Sequence, residues 1–228
     1  MSGDRARRTR AGRVRRYTAA VSEAHAESGD AAAIESLAAE FAVPLNAEAA
    51  ARLQAFVALF AKWNRSINLA SIRSDRELVT RHLIDSFALA SLVGGAVETA
   101  ADVGSGGGLP SIPLAVLMPA TAFTLFEPNR KKVAFLRTAI RELGLGGRVQ
   151  VEAGALKIPV GPPWLGSFQL ALSRATLAPP AWLELGRHLV RPDGQVAVFV
   201  AGDSGAGLPP PASARSYGEG RKLLLFRP

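Results

Sequence analysis

The 228-residue sequence contains no cysteine. That excludes disulfides, cysteine-ligated zinc, iron–sulfur clusters and any thiol nucleophile. It also fits a reducing compartment, and a cytoplasmic location is expected. Histidine is scarce: His25, His82 and His188 are the only three. They lie far apart in the chain, so no metal site is expected. No apolar run approaches the roughly 20 residues that cross a bilayer. No apolar h-region follows the basic start, so neither a membrane partner nor a secretory signal is expected. What is present is a sizeable apolar complement, 48% of the residues, enough to bury a core.

The net charge is +8. Its placement matters more than its size. Residues 1–16, MSGDRARRTRAGRVRR, hold seven Arg and one Asp and so carry +6. The other 20 basic and 18 acidic residues leave +2 for the body. Residues 1–30 lack aliphatic periodicity and read as a basic, disordered tail. The other reading is an arm that binds phosphates by counterion release.

Beyond the tail, helical periodicity comes first. Asp30 is placed to cap a helix with Ile34, Leu37, Ala38 and Phe41 on one face, ended by Pro44. Asn46 is placed to cap a second, running to about Lys62 with Leu53, Phe56, Val57 and Phe60 in register. A polar connector, NRSINLASIRS, follows, with Asn64 and Asn68 as turn formers. A third helix is expected from Asp75 to about Val93, stopped by Gly94-Gly95. Residues 31–95 thus form a helical N-terminal subdomain. From residue 97 the rhythm changes. Short apolar runs at 97–103, 122–126, 149–151, 168–172 and 195–200 alternate with helical stretches at 109–117, 129–143 and 179–189. This is the pattern of βαβ units, and residues 96–228 are expected to form an α/β core with a mostly parallel sheet and helices on both faces. LPPPASARSYGEG reads as a connector, and RKLLLF as a closing strand that runs antiparallel to the rest.

Such a sheet binds ligands at the carboxyl ends of its strands. The stretch Ala101–Leu114, ADVGSGGGLPSIPL, stands where the first strand ends. Gly104, Gly106 and Gly108 alternate there, with Asp102 before them, Ser105 between them and Leu109 after. Glu127 closes the second strand, at about the spacing where an acid meets ribose hydroxyls in dinucleotide folds. A nicotinamide or flavin site wants G-x-G-x-x-G; here the third Gly falls one residue early. A P-loop needs G-K-[ST], which is missing. The remaining candidate is S-adenosylmethionine, which carries no phosphate. The D-x-G-x-G pattern resembles the first motif of class I, Rossmann-like methyltransferases.

Several segments together are more specific. KWNRSINLASIRS, VTRHLIDSFAL, DVGSGGGLPSIPLAV, TLFEPNRKKVAFLR and LSRA follow one another over about residues 45–202. In this order they resemble the RsmG (GidB) family. That resemblance implies S-adenosylmethionine-dependent methylation of guanine N7 in small-subunit (16S) ribosomal RNA, with the RNA or the ribosomal subunit as partner of a monomer. It implies cofactor contacts at Gly104 and Leu109; the glycine loop itself adds Asp102, Ser105, Gly106 and Gly108 as candidates, and the second strand end adds Glu127. Ala155 and Leu156 are implied near the adenine. Arg174, the Arg of the S-R-A motif at the end of the fourth strand, is implied as the catalytic residue and a further cofactor contact. The chain departs from the family pattern at Ser111, where Gly is usual and a side chain is expected to crowd helix–strand packing, at Leu156, where an acid is common, and at Ala201, where Lys is usual. These departures motivate a second reading, a non-catalytic or regulatory relative that binds RNA or cofactor. The near-neutral body motivates a third, a small-molecule methyltransferase.

Guanine N7 offers a lone pair and no proton to remove, so the chemistry asks for positioning more than for a general base. The sequence has no cysteine for covalent attack on pyrimidines, and no aromatic follows LAPP to make the motif common in amine methylation. His82 and Asp85 stand at i and i+3, and Arg81 and Asp85 at i and i+4, on the third helix. They read as a polar knot tying the helices to the sheet; a His–Asp relay is the catalytic alternative. Lys62, Arg81, Arg130, Lys131 and Lys132 are candidates for an RNA-binding rim. Trp63 is expected to fill the core at a helix end.

Overall fold

A computed structural model describes residues 29–72, 74–93 and 97–228. The expected basic tail, apart from its last two residues, and the Gly94-Gly95 stop lie outside the described residues. The first helix, α1 (Gly29–Phe41), starts before Asp30. Asp30 therefore sits in the first turn, where a carboxylate complements the helix dipole, and not at the cap. In α2 (Ala47–Ile67) Asn46 is the N-cap, accepting from the Ala49 N–H at 2.8 Å. The helix runs past Lys62 because Asn64 folds the exit. Its Oδ1 accepts from the N–H groups of Leu69 and Ala70, and its Nδ2 donates to the Ala70 carbonyl. Asn68, at φ 49°, then ends the helix in the left-handed region.

The expected third helix is interrupted. A short α3 (Asp75–Leu78) opens into a π-helical turn over Val79–Leu83 and continues as α4 (Ile84–Leu92). The wide turn changes the phase of the helix. Arg81 pairs with Glu77 at 2.8 Å and not with Asp85, which faces inward.

The core follows: β1 (Thr99–Val103), α5 (Ser111–Leu117), β2 (Ala122–Glu127), α6 (Arg130–Glu142), β3 (Val149–Ala153), β4 (Phe168–Ser173), α7 (Pro179–Leu189), β5 (Val190–Ala201), β6 (Ser213–Tyr217) and β7 (Arg221–Phe226). One seven-stranded sheet results, in the order β3-β2-β1-β4-β5-β7-β6. Strands β1 to β5 are parallel, and β7 lies antiparallel between β5 and β6. The antiparallel closing strand is as expected. The strand β6 is not: it forms within the segment read as a connector, because β7 offers it a full edge.

Neighbouring strand residues face opposite ways, and two cores follow. Ala100, Leu125, Leu170 and Leu172 face α5, α6 and the N-terminal helices, whose Phe56, Phe60 and Phe87 complete that layer. Ala101, Phe126, Ala171 and Val198 face α7, whose Trp182 and Leu185 pack on them. Between β3 and β4 no helix forms. The Pro/Gly-rich loop 154–167 covers the sheet with Trp164, edge-on to Phe126 at 5.2 Å and stacked with Phe168 at 6.0 Å. Strand progression reverses at β1, which places the switch point, and the natural crevice, at the carboxyl ends of β1 and β4.

Candidate active site

An open cleft of about 440 Å³ lies at that switch point. Gly104–Gly107, Leu109 and Glu127 line one side; Leu69, Ala70 and His82 come from the helical layer; Arg174–Thr176 come from the end of β4. The glycines serve different needs. Gly104, at φ 75°, has no room for a Cβ, which would stand 2.2 Å from the Thr176 hydroxyl oxygen. Gly106, at φ 56°, faces open space, and a Cβ there would have only the Gly104 carbonyl and Lys132 Nζ nearby, at 3.8 and 3.9 Å. Gly107 lets Phe60 of α2 close on the loop, and Gly108 lets Ile112 and Leu136 do so from the other side. The loop is thus pressed by protein on three glycines and open to the cleft at one. That is the form of a backbone cradle for a ligand.

Glu127 is buried, and both oxygens are used. Oε2 accepts from Gly106 N–H at 2.7 Å and Oε1 from Asn129 N–H at 2.8 Å. Each oxygen retains a second lone pair for a ligand hydroxyl. Asn129 also caps α6, taking the N–H groups of Lys131 and Lys132, which sets the Lys132 ammonium at the cleft wall.

Asp102 does not line the cleft. It is 1% exposed and lies behind the glycine loop, where Ser111 Oγ donates to its Oδ2 at 2.5 Å. Burial pushes its carboxyl up to about 7, against the pull of the Ser111 and Ser105 hydroxyls. Ser111, expected to crowd the helix against the strand, instead supplies this hydrogen bond. Gly108 is likewise behind the loop.

Arg174 faces the cleft from the end of β4 and is held from two sides. Its Nε pairs with Asp85 Oδ2 at 2.9 Å, and its Nη2 meets His82 Nδ1 at 2.7 Å. Burial, helped by Arg174, lowers the His82 pKa to about 4. The imidazole is therefore neutral at physiological pH and accepts through Nδ1. Asp85 also takes Tyr217 and Arg221. Burial raises its pKa, while Arg174, the Tyr217 hydroxyl and Arg221 oppose the rise. The sequence-level polar knot is thus real, but its partners are Arg174 and the last hairpin. Asp85 takes no bond from Arg81, which pairs with Glu77.

Ala155 and Leu156 fall outside this cleft. They line an adjoining cavity of about 350 Å³ with Phe126, Gly154 and Trp164, across the end of β2. Lys62, Arg130 and Lys131 are exposed. Arg81 is exposed and ion-paired away from the cleft. Ala201 is exposed at the end of β5 and touches neither cavity. Sequence reasoning missed Leu69, Ala70, Pro128 and Thr176 on the cleft wall. Only their nearness to NRSIN, Glu127 and S-R-A was available as a signal.

Residues 49–209 match the model of one family, GidB, described as rRNA small subunit methyltransferase G. The chain belongs to that family. Among proteins of this name, those of Xanthomonas campestris pv. campestris (strain B100) and Stenotrophomonas maltophilia (strain K279a) are 41% and 40% identical to it over 152 and 150 residues. These spans cover 67% and 66% of this chain, and 69% and 68% of those proteins. The methyltransferase G family thereby takes in the loop, Glu127 and Arg174, but its matched span stops short of the β6–β7 hairpin. Solved structures agree on the fold. A Klebsiella pneumoniae protein assigned as an O-methyltransferase superposes with a TM-score of 0.52 at 14% identity, over 81% of this chain and 91% of its own. Cofactor-bound Rv0187 from MTB gives 0.51 at 18% identity, over 77% and 89%. The chain is thus a class I methyltransferase in fold, extended by N-terminal helices.

Proposed function

We propose that this enzyme transfers a methyl group from S-adenosylmethionine to guanine N7 of small-subunit (16S) ribosomal RNA. The observation that carries this is the cleft at the switch point, where the glycine cradle, Glu127 and a doubly held Arg174 meet. The cradle fits the cofactor: Gly106 leaves backbone open to the cleft, and Glu127 keeps lone pairs for ribose hydroxyls. Gly104, Ser105, Gly106 and Leu109 would hold it from the loop, and Ala155 and Leu156 would flank the adenine. Asp102 and Gly108 act from behind, by keeping the loop in place.

S-adenosylmethionine, when bound, supplies a methyl on a sulfonium; the N7 lone pair takes the methyl, and the carbon–sulfur pair stays with sulfur. No proton needs removal. The protein's part is accordingly to orient its substrate. Arg174 keeps part of its guanidinium toward the cleft while Asp85 and His82 fix the rest. An Arg bonded to N7 would block the lone pair, so Arg174 holds a phosphate or the cofactor. Lys132 is on the cleft wall, and Lys62, Arg130 and Lys131 are exposed cations for the RNA backbone. The neutral His82 serves Arg174 and not a His–Asp relay.

Titration calorimetry with S-adenosylmethionine, and with NAD as control, tests the cofactor. Binding in about the micromolar range to the first alone is expected. Labelled-methyl transfer to small-subunit RNA, with mapping of the modified base, tests the substrate. Binding of NAD, or turnover that survives ribonuclease treatment, overturns the assignment.

A further inference from the structure

Arg174 depends on a carboxylate that itself has to be held. Asp85 is 2% exposed, and each of its oxygens has its own duty. Oδ2 takes Arg174 Nε. Oδ1 takes the Tyr217 hydroxyl at 2.7 Å and Arg221 Nη1 at 3.1 Å. The same Arg221 nitrogen donates to the Arg81 carbonyl at 2.7 Å, inside the π-helical turn that carries His82. Arg221 also lies over the Tyr217 ring, 5.4 Å from its centroid. Phe41 meets that ring edge-on at 6.2 Å. Both residues belong to the β6–β7 hairpin, outside the span matched by the family.

The arrangement divides labour. With Oδ1 saturated by two donors, Oδ2 is left to Arg174. Rotation of the Asp85 carboxylate would break three hydrogen bonds at once. Through the Arg81 carbonyl the hairpin also pins the turn that presents His82, the second partner of Arg174. We propose that Tyr217 and Arg221 are positioning residues for methyl transfer, fixing Asp85 and the His82 turn so that the Arg174 guanidinium is held in its productive orientation. The inference rests on the assignment of Arg174 to the RNA methylation site. It adds that the hairpin at the sheet's edge sets that site's geometry.

Tyr217→Phe removes one hydroxyl and keeps the ring against Phe41 and Arg221. For methyl transfer to small-subunit RNA, its kcat should fall about tenfold to a hundredfold, the cost of a slightly misplaced group. KM for RNA and the affinity for S-adenosylmethionine should stay within about twofold. The kcat of Arg221→Lys, which keeps charge but loses the fork, should fall between those of the wild type and Tyr217→Phe. Wild-type kcat in Tyr217→Phe overturns the proposal, as does an equal loss of cofactor binding and activity, which marks a merely structural role. A second readout needs no turnover. The Arg174 Nε–H proton resonance, identified by its absence in Arg174→Lys, should be protected from exchange in the wild type and exchange faster in Tyr217→Phe. Equal exchange overturns the positioning claim even if the RNA substrate proves wrong. A wild-type protein inactive on RNA overturns the functional assignment alone.

Discussion

Asp102 is 1% exposed, behind the glycine loop. Its carboxyl accepts from the Ser111 hydroxyl, and burial, against the pull of the Ser111 and Ser105 hydroxyls, raises its pKa from 3.8 to about 7. An acid with a raised folded-state pKa contributes its stability below the unfolded value, near pH 4, and loses it as pH rises through about 7. Asp102→Asn keeps an oxygen for Ser111 and cannot ionise. It should unfold like the wild type at about pH 4 and be more stable by on the order of 1–3 kcal/mol at about pH 8, as read by urea denaturation. A variant less stable at both pH values would show that the carboxylate is needed as an anion. Sequence reasoning placed Asp102 on the ligand and Ser111 as a crowding residue. They are each other's partner across the loop, nine positions apart. Both side chains turn inward there, which motif spacing alone does not reveal.

Among the elements, the glycine loop and the Asn46-capped helix are the most legible in the sequence. Their signals are local: Asn46 before a helical stretch, and alternating glycines after an apolar strand. The loop's need for glycine is sharpest at Gly104, where φ is 75° and Thr176 stands 2.2 Å from any added Cβ. Gly104→Val should lower affinity for S-adenosylmethionine by about tenfold or more and cost about 1–3 kcal/mol of stability. Calorimetric titration at a temperature where the variant is folded checks the first, and unchanged affinity would take the loop out of the cofactor site. Less legible were the elements defined by distant partners. Strand β6 exists because β7 presents an edge to SARSY, and its Arg215 reaches across to Ser91 and the Phe41 ring. The π-helical turn gives VTRHL a wider circumference than periodicity predicts, and so sends Arg81 and Asp85 to different partners. The loop 154–167 replaces a helix with Trp164.

For the whole molecule, the boundary near residue 96 divides the sequence but not the core. Phe56, Phe60 and Phe87 from the helices share one apolar layer with Leu125, Phe135 and Leu170 from the α/β part. Phe60 also closes on Gly107, and Leu69, Ala70 and His82 complete the cleft. The described chain should therefore melt in one transition, with calorimetric and van't Hoff enthalpies about equal. Two separated transitions would show that the helical part is a domain of its own. The Arg174 centre has a further consequence, in time. Its contacts join residues 92, 132 and 136 positions apart. Such closures are entropically slow and form after local helices and neighbouring strand pairs. A chain can therefore hold its sheet and its glycine loop while Arg174 is still unplaced. Under the role proposed for Arg174, methyl transfer should therefore recover later than the sheet on refolding, and a half-folded form of this enzyme is expected not to mark RNA.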